Sequence, residues 1–140
     1  LKDIPDPPIK ISDLLESASF QVGVAFVAAL IYRTGEISLA AEHFIKSCLL
    51  SAQALIVLKK NKLVLNFEDI FTEANNFEME KKYKAVLRHA IKVRRGEEIL
   101  KESILYTNMS FISEVVKKNI LEFSEKSGEK SIIIKAVKEI

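Results

Sequence analysis

The chain is predicted to be all-α, an up-and-down bundle of four to five helices, and two observations predict it. All three prolines (Pro5, Pro7, Pro8) lie in the opening stretch, and only four glycines, Gly23, Gly35, Gly96 and Gly128, punctuate the 140 residues. Proline removes a backbone donor and clashes with the preceding turn, while glycine costs a helix about 1 kcal/mol relative to alanine, so scarcity of both permits long helices. The second observation is apolar spacing of three and four residues through most of the chain. The length suits one domain burying roughly two thirds of the surface its unfolded chain would expose. Residues 1–10 read as an extended N-terminal arm and 11–140 as a single helical-bundle domain.

Each proline of the arm also pushes its predecessor toward extended backbone. Ser12, followed by Asp13 and Glu16, predicts a capped helix running to Arg33 and ended by Gly35. Ser38 is expected to cap a second helix reaching about Lys60, with Ala41, Phe44, Ile45, Cys48, Leu49, Ala52, Leu55 and Ile56 on its core face. The segment from Asn61 to Asn66 reads as a short strand or an extended connection, with the connection preferred, and Asn66 caps a short helix that ends near Asn75 and Asn76. A third long helix is predicted from near Glu78, burying Met79, Tyr83, Val86, Ala90 and Val93. Gly96 should break it, because the apolar phase of Ile99, Leu100, Ile104, Leu105 and Tyr106 does not continue that stripe. Asn108 or Ser110 begins a fourth helix, with Ile112, Val115, Val116, Ile120 and Phe123 facing in and Gly128 as its stop. The tail from Ser131 to Ile140 reads as a last short helix or a strand that packs only against a partner.

Lysine and arginine number 21 against 19 acids, and a net charge of +2 does not by itself argue for nucleic acid. The single cysteine, Cys48, has no internal disulfide partner, which points to a reducing compartment and so to the cytoplasm. The longest apolar run, Val22 to Ile31, is about half of the roughly 20 residues that span a bilayer, and it reads as a buried helix and not a membrane anchor. Because the chain opens on Leu1, a helical fragment of a larger protein is one alternative.

Self-association is expected from the second helix. His43, Ser47, Leu50, Ala54 and Val57 form a second stripe with alternating steps of four and three, the spacing of a helix seam, and predict a homodimer interface. On the third helix Lys81, Lys84, Arg88, Lys92 and Arg95 share one arc that could follow a phosphate backbone. No aromatic interleaves it and acids bracket it, so a solvated outer face is the preferred reading. His89, with Arg88 beside it and Lys84 one turn before, is the alternative catalytic grouping, a phosphate held by cations with imidazole moving a proton; a surface histidine is the preferred reading. Ala40 and Val86 stand three residues before the two histidines, where a di-iron bundle needs glutamate, and the spacing suits no zinc site. No metal and no cofactor is expected.

The turn Thr34-Gly35-Glu36-Ile37-Ser38, followed by a helix carrying Ala40, Ala41, Phe44, Lys46, Leu49, Ala52 and Leu55, is similar to the HEPN helical bundles, best over residues 11–60. The resemblance implies an up-and-down bundle that often dimerises. RNA-cleaving members carry an arginine, a spacer of four to six residues and a histidine on a late helix; Lys82, Tyr83 and Lys84 occupy those positions before His89. The missing arginine tilts the resemblance toward the non-catalytic partners of small nucleotidyltransferases, a role that includes support of a nucleotide ligand. The expected function is therefore a non-catalytic, self-associating binding subunit. An RNA-binding or RNA-cleaving protein using the basic arc and His89 is the alternative.

Overall fold

The structure, a computed structural model, describes residues 8–128, 132–133 and 135–136, with side chains for 9–128. Helix α1 (Ile11–Arg33) and helix α2 (Ile37–Lys60) form a tight hairpin. Small residues make the close approach: Ala18, Ala25, Ala28 and Ala29 of α1 and Ala40 of α2 are all buried. Helices α3 (Phe67–Asn75) and α4 (Lys81–Arg94) pack against α2. A last rod is made of α5 (Glu102–Ser110), a π-helical segment (Phe111–Lys117) and α6 (Lys118–Ser127). It lies against α1 and α2, so α2 is enclosed on most sides and supplies the centre of the core with Phe44, Leu49, Leu55 and Ile56. The all-α bundle expected from proline and glycine scarcity is the fold observed.

Several boundaries follow the sequence signals. The Asn66 side chain accepts the Asp69 amide at 2.8 Å and caps α3. Gly96, at φ +76°, occupies the left-handed position after α4, where its amide donates to Val93 and that of Glu97 donates to Lys92 across the six-residue closure of a Schellman turn. Gly35 and Gly128 end α1 and α6 in the same left-handed region, and Asn61 does so for α2.

Other expectations need correction. Helix α2 starts one residue before Ser38 and has no side-chain cap at Glu36. Helix α1 is preceded by Lys10, whose amide donates to the Asp13 carboxylate at 3.1 Å, so Asp13 and not Ser12 closes its first turn. Helix α4 begins at Lys81, three residues after Glu78. The fourth helix begins at Glu102, not at Asn108 or Ser110, and both of those lie inside the rod. Lys62–Leu63 is a two-residue strand β2 paired in parallel with Lys135–Ala136 (β4). Pro8–Ile9 (β1) pairs antiparallel with Ile132–Ile133 (β3). The described parts of the tail thus pair with this chain itself and not only with a partner; residues 129–131, 134, 137–140 and arm residues 1–7 lie outside the described residues.

The π-helical segment has a physical reason. Asn108, Ile112, Val116 and Ile120 are all fully buried, each four residues after the last. An α-helix turns about 100° per residue, so each step of four overshoots a full circle by about 40° and three steps drift by about 120°. The wider π turn takes up the excess and keeps one face inward.

Candidate functional site

The sequence pointed to two places, the histidine region of α4 and an apolar seam for a second copy. His89 is 4% exposed, so the surface histidine expected from sequence is a core one. Its ring packs against Phe44 with centroids 5.7 Å apart. Nε2 accepts the Lys101 amide at 3.1 Å, which assigns the ring proton to Nδ1, and Nδ1 donates to Glu98 at 2.8 Å. The Schellman turn at Gly96 reverses the chain and delivers Glu98 and Lys101 to the ring, so His89 ties the end of α4 to the start of α5. With both nitrogens engaged, the imidazole has no free position for moving a proton. The His89 hydrogen bond holds the Glu98 carboxyl below the ordinary carboxylate range, helped by Lys92 and Lys101.

Arg88, His89, Lys92, Glu98 and Lys101 line a cleft of about 250 Å³. Lys84 is not among them: its Nζ donates to the Asn75 carbonyl at 3.0 Å, on the α3 side of the helix. The structure therefore brings together two members of the alternative catalytic grouping, Arg88 and His89, and places the third elsewhere. Of the basic arc, Arg95 is paired with Glu68 through two nitrogens, joined there by Arg94 at 3.7 Å, and Lys92 lies 3.6 Å from Glu98. Glu68 is held below its ordinary range, first by the Arg95 hydrogen bond. Lys81 and Arg88 project to solvent. Acids thus pair with two of the five arc residues, Lys92 and Arg95. Among the described residues, no group of three or more His, Cys, Asp or Glu side chains converges on a point where a cation would sit.

The seam predicted on α2 is not where the open apolar surface lies. Ser47, Ala54 and Val57 are buried inside the monomer and Leu50 is half-buried, so these four do not present a free face. Ser47 is committed to the core, donating to the Phe44 carbonyl at 3.0 Å and accepting from the buried Asn108 amide at 2.9 Å. His43 differs from these four. It lies half-buried beside a groove of about 430 Å³ lined by Phe20, Gly23, Val24 and Val27, with Nδ1 against the Leu39 carbonyl at 2.9 Å.

That groove belongs to α1, which reads from sequence as a buried helix and is only partly so. Of its most apolar stretch 33% is buried, against 61% for α2, and both helices are long and apolar enough to cross a bilayer. Phe20 is 68% exposed, Phe26 54%, Leu30 49% and Val27 41%. No charged residue occurs from Ala18 to Tyr32. The sequence signal was present as a helix apolar all round; which side the rest of the fold would leave uncovered was not. No family model matches the chain, and no curated protein or solved structure shows significant similarity to it.

Proposed function

We propose that this chain is a non-catalytic helical subunit of the cytoplasm that pairs with a second copy and serves as a binding partner for another protein. The observation that carries the reading is the uncharged, solvent-facing side of α1. Isolated apolar residues are ordinary on a surface, but Phe20, Phe26, Val27 and Leu30 stand exposed together along one uncharged stretch of helix, and grouped apolar exposure of this kind is a mark of an interface. The occupied ring nitrogens of His89 support the non-catalytic half of the reading. The resemblance of the α1–α2 hairpin to HEPN bundles supports a small nucleotidyltransferase as the class of partner. Sedimentation equilibrium tests the reading: wild type should be dimeric at micromolar concentration, and Phe20→Glu with Val27→Glu should be a folded monomer. A wild-type monomer at high micromolar concentration would remove the idea.

The second reading is RNA contact, favoured by Arg88 and Lys101 beside the His89 cleft. It requires affinity for single-stranded RNA that falls steeply with salt and is lost on charge reversal at Lys84, Arg88 and Lys92. Cleavage of that RNA, abolished in His89→Ala while the fold persists, would replace the non-catalytic reading with a ribonuclease.

A further inference from the structure

We infer that the second copy docks on α1 antiparallel, about a two-fold axis level with Ala25, an assignment that rests on the self-association proposed above. Phe20, Gly23, Val27 and Leu30 are spaced by three, four and three residues, the interval of a helix seam, and all four are exposed. Reversing one helix about the level of Ala25 sets Phe20 opposite Leu30 of the second copy and Gly23 opposite its Val27. Valine then fills the space that glycine leaves. A parallel pairing would set Gly23 on Gly23 and Phe20 on Phe20, a gap beside a crowded layer.

Charge selects the same orientation. The acids of α1, Asp13 and Glu16, stand in its N-terminal half, and its one base, Arg33, ends it. Arg33 is held within the chain by the Tyr106 hydroxyl at 2.6 Å and Glu102 at 3.5 Å, so the choice rests on the acids and the helix dipoles: antiparallel docking keeps the acids of the two copies apart and opposes the dipoles favourably, whereas parallel docking stacks acids on acids. Area agrees too. Taking about 200 Å² for a phenylalanine, the exposed parts of Phe20, Phe26, Val27, Leu30 and Leu39 amount to roughly 500 Å² of apolar surface. A standard interface buries about 800 Å² per partner, of which about 60% is apolar, so the patch accounts for one side of a stable dimer. A lipid surface fits less well, because interfacial helices flank their apolar face with lysine and arginine, and the N-terminal flank of this one carries acids.

Cysteine cross-linking reads the geometry. Phe20→Cys and Leu30→Cys are surface substitutions, and the native Cys48 is fully buried with its thiol pushed up by burial, so it does not compete. Mixing the two variants under oxidising conditions should give a disulfide-linked heterodimer in at least ten-fold excess over either variant alone. Gly23→Leu, whose Cβ meets nothing within 4 Å in the monomer, should leave the melting temperature unchanged or higher and weaken dimerisation at least ten-fold. Cross-linking of Phe20→Cys with itself would overturn the antiparallel register. A wild-type dimer that cross-links at neither position and tolerates Gly23→Leu would overturn the surface while leaving self-association standing. A wild-type monomer would overturn both, and a monomer that floats with phosphatidylserine vesicles would assign the face to lipid.

Discussion

His89 sits where three pieces of chain meet, and its ring spends both nitrogens holding them together. Glu98 is the half-buried member of its pair with His89, 32% exposed against 4% for His89, and its acidity is the measurable one. Because the folded state lowers its pKa, its contribution to stability is whole above the unfolded value, about pH 4.3, and is lost as pH falls through the lower folded value. Glu98→Gln should therefore be less stable than wild type at pH 7, and the gap between the two should close below about pH 4 when urea midpoints are followed with pH. A gap that stays constant into acid would mean that the carboxylate charge is not what Glu98 contributes. None of this was legible in the sequence, where nine residues separate His89 from Glu98 and twelve separate it from the Lys101 amide. Only the Gly96 turn makes them neighbours, and a turn's presence does not reveal what it brings back.

At the scale of elements, Gly35, Gly96, Gly128 and the Asn66 cap were dependable guides to helix ends, and Ser12, Ser38 and Asn108 as helix starts were not. Gly96 has φ +76° and open space around its missing Cβ, so backbone conformation and not crowding decides the cost of a side chain there. Gly96→Ala should destabilise by about 1–2 kcal/mol in urea unfolding, the ordinary cost of a left-handed non-glycine residue. A raised midpoint would show that the α4 turn can be rebuilt. Ser12 and Ser38 failed as caps because Asp13 and the tight Gly35 turn already close those ends. The start of the last rod was missed for a different reason. Glu102 has no side-chain cap before it, and the signal lay in the spacing of Leu105 and Asn108, which an eye searching for a cap at Asn108 passes over.

For the whole molecule, the division into faces is what the sequence underdetermined. Both α1 and α2 carry more apolar surface than one stripe, and only the packing of α3, α4 and the last rod around α2 decides which is enclosed. That choice buried Ser47, Ala54 and Val57 and left Phe20 and Leu30 in the open, moving the expected interface from one helix of the hairpin to the other. The π-helical segment gives the molecule one more property. Its wide turn behaves as a one-residue insertion within a helix, and deleting the exposed Ser113 would shorten the step from Ile112 to Val116 from four residues to three. A plain α-helix would then hold Asn108, Ile112, Val116 and Ile120 on a narrower arc, about 60° instead of about 120°. The deletion variant should fold with unchanged or higher melting temperature, whereas removing a second residue should rotate α6 out of register and unfold it. If so, a length change normally confined to surface loops can be accommodated in the middle of a core helix, and the chain carries there the means of losing a residue without rearranging anything before or after it.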